Sequence, residues 1–219
     1  MCVVALNKIA VMGAGGFGLE VVALIEQINA QSPKWDIVGF FDDNLPKGEI
    51  INGYSVIGGI DEINELNDNI ALVVAVGNPK TKKKIIEKIY NHKIDYPVLI
   101  HPSVIIENSR FVEIGEGSII CAGNILTTNI ILGKHVLLNL SCTIGHEVNI
   151  CDYSSFMPSC NISGEVFIGE CSYWGTASKV INQKKIGNNT VVGAGSLLIH
   201  DVPDNATVVG VPARILKKC

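Results

Sequence analysis

Residues 138–156 read LNLSCTIGHEVNICDYSSF and place a large apolar side chain at every sixth position. The same phase runs from residue 114 to residue 198 without an insertion. The residues in this phase are all large and apolar: Ile114, Ile120, Leu126, Leu132, Leu138, Ile144, Ile150, Phe156, Ile162, Ile168, Trp174, Val180, Ile186, Val192 and Leu198. A period of six fits neither the 3.6 residues of an α-helical turn nor the seven of a coiled coil. It predicts a parallel β-solenoid, in which three short strands form one coil of about eighteen residues.

The residues between these apolar steps support the same prediction. Most positions directly after a step are Gly or another small residue, and Gly or Asn can supply the turn conformation at the corners. Cys142 and Cys160 lie eighteen residues apart, which stacks them in adjacent coils. The chain has seven cysteines and no CxxC pair, a pattern that indicates neither a disulfide framework nor a structural zinc site. We therefore expect free thiols that serve as small interior residues, and a bridge between Cys142 and Cys160 is the alternative.

The N-terminal part contains a glycine-rich loop in a nucleotide-binding context. A buried strand over residues 8–12 runs into GAGGFG at 13–18, and a helical pattern over 19–28 follows. This is GxGxxG with a strand before it and a helix after it. Glycines let the backbone approach a phosphate closely, and the N-terminus of the helix offers free N–H groups and partial positive charge.

Two further predicted strands end at the same edge of the sheet. The strand over residues 37–41 ends at Asp42 and Asp43, where a Rossmann unit places its acidic contact with the ribose or base. The strand over residues 70–76 ends at Gly77. Ligands of open α/β sheets bind at the carboxyl ends of the strands, so we expect a ligand at this edge.

These patterns divide the chain into two predicted domains. A last short strand over residues 97–100 closes a Rossmann-like α/β domain of residues 1–100, and residues 101–219 form the β-solenoid with a C-terminal cap. Residues 213–218 are interpreted as a tail or a helical turn in this cap. About 100 residues leave no space for the second half-fold of a dehydrogenase, so the loop suits the nucleotide part of a substrate. A glycine loop used only for packing is the alternative.

The charge, the apolar runs and the first residues of the sequence argue against a nucleic-acid-binding, membrane-spanning or secreted protein. The net charge is −4 and the longest basic run is residues 82–84, which gives little support for nucleic-acid binding. The apolar runs are too short to span a bilayer. Residues 1–12 lack the charged region and the cleavage site of a signal peptide. We therefore expect a cytoplasmic protein.

One histidine of the solenoid has the setting of a general base. His146 follows the inward Ile144 by two places, so it should face outward, and Glu147 beside it can orient the imidazole. An exposed histidine on a polar corner is the alternative. His135 lies eleven residues before His146 and should fall on a different face, so a zinc triad is not expected and we predict no metal.

Together these motifs resemble a known family. GAGG (13–16), DD (42–43), VGN (76–78), IGHE (144–147), NISG (161–164) and VGVPA (209–213) occur in the order seen in the family of the sialic acid O-acetyltransferases and UDP-bacillosamine N-acetyltransferases. The resemblance covers nearly the whole chain. It implies that the solenoid is a left-handed parallel β-helix, an exception to the usual right-handed crossover. It also implies a cytoplasmic enzyme that transfers an acetyl group from acetyl-CoA to a sugar.

The resemblance also implies roles for individual residues. His146 is the general base and Glu147 supports its basicity, in a cleft between neighbouring β-helices of a homotrimer. The residues implied to bind acetyl-CoA in that cleft are Ser155, Gly164, Thr176 and Ala194. The residues implied to hold the nucleotide-sugar are Gly15, Gly16, Phe17, Asp42, Asp43 and Gly77. Two of these depart from the family pattern, since many members have His where this chain has Phe17 and Ser155.

The activity expected from these features is N-acetylation of a nucleotide-linked amino-deoxysugar, at the C4 amino group. O-acetylation of a sialic-acid-like hydroxyl is the nearest alternative, because a hydroxyl nucleophile needs the same base. A dinucleotide-dependent oxidoreductase and a non-catalytic trimeric scaffold are more remote alternatives. The sequence specifies neither the sugar nor the base of the nucleotide.

Overall fold

The computed structural model describes residues 6–216 and divides into two compact units. The first holds residues 6–77 and 81–97, and the second holds residues 78–80 and 98–216. The first is an α/β unit and the second is a solenoid of short parallel strands.

The first unit is built on a six-stranded sheet in the order β3-β4-β2-β1-β5-β6. Its strands are β1 (Asn7–Met12), β2 (Trp35–Phe41), β3 (Ile50–Ile51), β4 (Tyr54–Gly58), β5 (Ile70–Val74) and β6 (Ile94–Asp95), and its helices are α1 (Gly16–Gln31), α2 (Ile60–Glu65) and α3 (Pro79–Lys88). All neighbouring strands are parallel except β3 and β4. Strand β5 is buried throughout, as a central parallel strand should be. The Rossmann-like prediction is confirmed.

Close backbone packing explains two glycines of the GxGxxG loop. Gly13 has φ +103°, a conformation that favours glycine, and it turns the chain from β1 towards α1. A Cβ on Gly18 would lie 2.0 Å from the carbonyl oxygen of Gly13, so only glycine lets α1 pack this closely on the loop. Gly16 has no atom within 4 Å of the corresponding position. Gly18 is therefore required for the packing of α1 on the loop, whereas the space around Gly16 is free.

The solenoid has three faces, whose strands are parallel except for β25 at the end of the first face. The first face contains β7 (Leu99–Ile100), β10 (Ile119–Ile120), β13 (Leu137–Leu138), β16 (Ser155–Phe156), β19 (Tyr173–Trp174), β22 (Val191–Val192), β24 (Thr207–Gly210) and β25 (Ala213–Ile215). The second contains β8 (Ile105–Ile106), β11 (Ile125–Leu126), β14 (Thr143–Ile144), β17 (Asn161–Ile162), β20 (Lys179–Val180) and β23 (Leu197–Leu198). The third contains β9 (Val112–Ile114), β12 (Ile130–Leu132), β15 (Asn149–Ile150), β18 (Phe167–Ile168) and β21 (Lys185–Ile186), and a 3₁₀ turn spans Ser109–Phe111. We call the turn from first to second face the first corner, from second to third the second corner, and from third to first the third corner.

The predicted phase of the solenoid is confirmed by its pairing and burial. Residues eighteen apart pair across neighbouring coils, as Thr143 does with Asn161. From Ile120 to Leu198, every residue in the six-residue phase is at most 2% exposed, and only Ile114 at the start is partly buried. Burying each of these side chains contributes about 2 kcal/mol before conformational entropy is subtracted.

The corners repeat a left-handed backbone conformation every six residues. Most of these residues are not glycine, and Glu147 (φ 57°) and Glu165 (φ 58°) are two of them. Such a residue costs roughly 1–2 kcal/mol in isolation. The conformation is held by stacking, because from His135 to Gly195 the amide of each such residue donates to a carbonyl of the coil before it: Glu147 to Thr128 at 3.1 Å and Glu165 to His146 at 2.8 Å. Corner side chains therefore stand on a backbone fixed by the neighbouring coil.

Two local predictions were wrong. The strand expected at the end of the first domain, over 97–100, is β7, and it pairs with β10 of the solenoid. Residues 213–215 form β25, antiparallel to β24, instead of a tail or helical turn. The part of that prediction that concerns residues 217–218 lies outside the described residues.

The interior cysteines of the solenoid are free thiols, as expected. Cys142 and Cys160 are both fully buried. The hydrogen bond with Cys160, together with burial, raises the pKa of the Cys142 thiol, so this thiol stays protonated and unreactive.

We predict that Leu132→Ala lowers the free energy of unfolding by about 2–5 kcal/mol, because it opens a cavity in the solenoid interior. Its neighbour Ile131 in β12 faces outward and is 46% exposed, so Ile131→Ala should change stability by only about 0.5 kcal/mol. Urea unfolding of both variants at one protein concentration measures the difference. Equal losses would contradict the assigned phase.

We predict that Gly18→Ala lowers the free energy of unfolding by about 3 kcal/mol or more, since its Cβ would collide with the backbone of Gly13. Gly16→Ala is the matched control. It adds a methyl group in open space at the start of α1, so stability should be unchanged or raised by up to about 1 kcal/mol. Thermal and urea unfolding compare the two variants. A Gly18→Ala protein as stable as the parent would refute the packing role.

Candidate active site

The glycine loop of the first unit presents unblocked backbone at the start of α1. Gly15 is the N-cap of this helix and no side chain caps it. Gly15 and Gly16 are exposed, and no heavy atom lies within 4 Å of where their Cβ atoms would be. The first N–H groups of a helix are free and carry partial positive charge, so this end of α1 suits an anionic group such as a phosphate.

Asp42 and Asp43 lie at the end of β2, but their side chains are already used by the fold. Asp42 Oδ2 accepts a hydrogen bond from the Ala14 N–H at 3.0 Å, and Asp42 Oδ1 accepts one from the Asn44 N–H at 2.9 Å. Asp43 Oδ1 accepts one from the Ile60 N–H at 2.8 Å, at the start of α2. Asp42 therefore ties the glycine loop to β2, and Asp43 ties β2 to α2. Any ligand contact must use the remaining lone pairs.

A cavity of about 340 Å³ adjoins these two aspartates. Its charged lining is mostly acidic and consists of Asp42, Asp43, Lys47, Asp61 and Glu62. The Gly59 N–H donates to Glu62 at 2.7 Å, and this hydrogen bond holds the pKa of Glu62 below its usual value. The cavity has the volume that small-ligand sites usually have.

Gly77 and Phe17 lie near the same edge. Gly77 follows β5, which pairs with β1, so it lies beside the glycine loop at the carboxyl ends of the strands. Gly77 and Phe17 are both half-buried. The structure thus brings the predicted nucleotide-sugar residues to one sheet edge.

His146 stands on the second corner of the solenoid, as its place in the repeat predicted. Its side chain is 56% exposed, and its Nδ1 lies 3.2 Å from Glu147 Oε2. A carboxylate at this distance favours the tautomer with a proton on Nδ1 and leaves Nε2 as the acceptor. An imidazole oriented in this way can accept a proton from a nucleophile.

Gly164 lies directly beneath the imidazole, in the next coil. A Cβ at this position would lie 2.5 Å from both Nε2 and Cε1 of His146, so the ring rests on the bare backbone. Gly164 is buried, and within residues 6–216 its N–H has no hydrogen-bond acceptor. Gly164 therefore seats the ring and offers a backbone donor beside it.

Sequence reasoning missed a third polar side chain on this corner. Glu165 lies eighteen residues after Glu147, and a nitrogen of His146 and a carboxylate oxygen of each glutamate all lie within 4.8 Å of one another. Gln183 Nε2 donates to Glu165 Oε2 at 3.1 Å from the coil beyond. Adding one coil length to Glu147 would have found Glu165, because the stacking period was already known.

The other residues expected to bind acetyl-CoA lie elsewhere on the solenoid. Thr176 and Ala194 are exposed, eighteen residues apart, and stack on the first corner. Ser155 is in β16 of the first face and is 0% exposed. Of the four residues expected to bind acetyl-CoA, only Gly164 lies beside His146 within one chain. The second face of the solenoid separates His146 from Thr176 and Ala194.

His135 is placed apart from His146, as the face counting predicted. It lies on the third corner, is buried, and stacks on the ring of Tyr153 with centroids 5.6 Å apart. Within residues 6–216, none of the helices has the length and apolar character that crossing a membrane requires.

Comparison with known proteins gives matches to both units. Residues 8–89 match the family described as the PglD N-terminal domain. Over 219 aligned residues the chain is 27% identical to the GDP-perosamine N-acetyltransferase of Escherichia coli O157:H7, with 97% of this chain and 98% of the relative covered.

Two examples show how solved structures match the chain over almost its whole length. The acetyltransferase domain of PglB from Neisseria gonorrhoeae FA1090, in complex with acetyl coenzyme A, is 32% identical with a TM-score of 0.85 and covers 97% of this chain and 100% of that one. PerB from Caulobacter crescentus, in complex with CoA and GDP-perosamine, is 25% identical with a TM-score of 0.82 and covers 99% of this chain and 100% of that one.

These matches confirm the fold class, a Rossmann-like domain followed by a left-handed parallel β-helix. They extend across both units with identities of 25–32%. The chain belongs to the family of hexapeptide-repeat sugar acetyltransferases.

Proposed function

We propose that this protein transfers the acetyl group of acetyl-CoA to an amino group, at C4, of a nucleotide-linked amino-deoxysugar. The observation that carries the proposal is the His146 corner: an exposed imidazole held by Glu147 on one side and seated on Gly164 on the other. Full-length similarity to a GDP-perosamine N-acetyltransferase supports the amine as acceptor and acetyl-CoA as donor.

His146 acts as the general base in this proposal. The sugar amine attacks the thioester carbonyl carbon, a C–N bond forms, and His146 Nε2 takes one proton from the nitrogen. The C–S bond then breaks, and the imidazolium returns its proton to the departing sulfur, which gives the amide and CoA with a free thiol. Glu147 stabilises the charge on the imidazolium while it lasts. No acyl-enzyme is needed.

Gly164 has two roles in the proposed acetyl transfer. Its lack of a side chain keeps the imidazole at the position described above, and its N–H is available to stabilise the oxyanion of the tetrahedral intermediate. A backbone donor of this kind is already in place before reaction, so it needs no reorganisation.

The acceptor is held through its nucleotide at the carboxyl edge of the first sheet. The phosphates would lie against Gly15, Gly16 and the N-terminus of α1. The acidic cavity beside Asp42 and Asp43 is the place for the base and ribose. With Phe17 where many relatives have His, this chain would contact the nucleotide-sugar through an apolar ring.

The acetyl-CoA cleft of this proposal needs more than one copy of the chain. His146 is on the second corner, whereas Thr176 and Ala194 are on the first. In a homotrimer, the first corner of one β-helix faces the second corner of its neighbour, and acetyl-CoA lies between them. Ser155 is buried in the first face and would contribute as support for β16 instead of direct contact. Light scattering that gives three chains per particle would support this assembly.

We predict that His146→Ala lowers kcat by about 10²–10⁴-fold, the usual loss for a general base. The measurement is CoA release with a panel of UDP-, dTDP- and GDP-linked 4-amino sugars, each paired with the 4-hydroxy sugar. The wild-type protein should release CoA only with amino sugars.

The variant should keep the thermal stability and particle mass of the wild type, since its side chain is exposed. Activity of His146→Ala within a few-fold of wild type would contradict the base. Turnover with hydroxy sugars in preference to amino sugars would instead favour O-acetylation, and tight NADH binding without CoA binding would favour an oxidoreductase.

We predict that Gly164→Ala lowers kcat by about tenfold to hundredfold with little loss of stability. The new methyl group would push the exposed ring away, and misplacement of a catalytic group by about 1 Å can have an effect of this size. Thermal unfolding should differ from wild type by about 2 °C or less.

The double variant His146→Ala/Gly164→Ala is the control. If Gly164 acts by seating the ring, its substitution should cause little further loss once the ring is gone. A Gly164→Ala protein with at least half the wild-type kcat would contradict the seating role.

A further inference from the structure

Glu165 is held next to the imidazole by two neighbouring coils. Its backbone N–H donates to the carbonyl of His146 at 2.8 Å, and its carboxylate accepts the Gln183 side chain at 3.1 Å. The Gln183 backbone N–H in turn donates to the Gly164 carbonyl at 3.1 Å. The backbone of Glu165 is thus fixed by the coil before it, and its side chain is hydrogen-bonded to the coil after it.

Two carboxylates lie close to the ring of His146 and to each other. Glu147 contacts Nδ1 from the same coil, and the carboxylate of Glu165 comes within 4.8 Å from the next coil. Because the ring rests on Gly164, it leans over the coil that carries Glu165. A carboxylate at this distance attracts an imidazolium more strongly than a neutral imidazole.

We propose that Glu165 is a positioning residue for acetyl transfer, which keeps the imidazole of His146 on Gly164 and stabilises the imidazolium formed when His146 takes the proton of the amine. This inference rests on the proposed function. The proton passes from the sugar nitrogen to His146 and on to the departing sulfur, as above, and Glu165 neither gives nor takes one. Its effect therefore belongs to kcat and not to the binding of acetyl-CoA.

The test replaces the charge and keeps the shape. In Glu165→Gln the side-chain amide oxygen can still accept the hydrogen bond from Gln183, so this contact between the two coils is kept. We expect kcat to fall about threefold to fivefold, the range of an exposed charge pair, with the KM for acetyl-CoA unchanged. Glu165→Asp keeps the charge and suits the left-handed corner backbone, so it should retain at least half of the wild-type kcat.

A double-mutant cycle separates action through His146 from direct contact with substrate. In a His146→Ala background, Glu165→Gln should change the residual rate by less than about 1.5-fold, because the group through which it acts is missing. Glu113→Gln, an exposed carboxylate in β9, is the matched control and should match wild type throughout.

The outcomes are distinct. An unchanged kcat in Glu165→Gln, or an equal loss in Glu165→Asp, would overturn the role of the charge. An undiminished loss in the His146→Ala background would show that Glu165 contacts substrate directly, and would also overturn the proposal. If the wild-type protein acetylates none of the sugars, it is the proposed function that fails.

Discussion

The stacking of one coil on the next, with residues eighteen apart in register, is the constraint on which the solenoid depends. The strands are only two to four residues long, and most have two, so no strand is stable by itself. Stability comes from neighbouring coils that bury one another's apolar side chains and share backbone hydrogen bonds, such as that from Gly145 to the carbonyl of Ile162 at 2.8 Å. The same hydrogen bonds hold non-glycine corners in a left-handed conformation that few residues adopt alone.

Much of the solenoid could be predicted because its signal is repeated along the chain. The inward steps from Ile120 to Leu198, the outward setting of His146 and the separation of His135 all follow from counting in sixes and eighteens. The same counting places Glu165 one coil beyond Glu147. It was missed because sequence reasoning considered outward histidines and their sequence neighbours, and did not consider residues of the next coil. Contacts between particular side chains depend on their rotamers, which the repeat does not specify. The close contact of His146 with Gly164 is therefore seen only in the structure.

The first unit shows where motif reasoning stops. The GxGxxG motif correctly placed the loop between β1 and α1, and the apolar strand pattern correctly placed the two aspartates at the end of β2. The motif could not show that both oxygens of Asp42 accept hydrogen bonds from the chain's own backbone, or that Asp43 holds the start of α2. A carboxylate at the end of a strand can bind a ligand or tie down a neighbouring loop, and both demands select the same residue type. The burial of Ser155 is a similar case, since an outward place in the repeat does not guarantee exposure.

The register that builds the core also builds the corner that carries His146. His146 and Glu147 belong to one coil, whereas Gly164 and Glu165 belong to the next, and backbone hydrogen bonds join the two. A deletion of one residue between them would leave Gly164 out of line with the ring and would also turn the following apolar steps away from the interior. The number of residues between His146 and Gly164 is therefore constrained by the stability of the core as well as by the contact between the two residues. A fold that tolerates no slip of register in its core holds the imidazole of His146 on Gly164 without any further structural device, and this is why strands of two residues suffice to position these side chains.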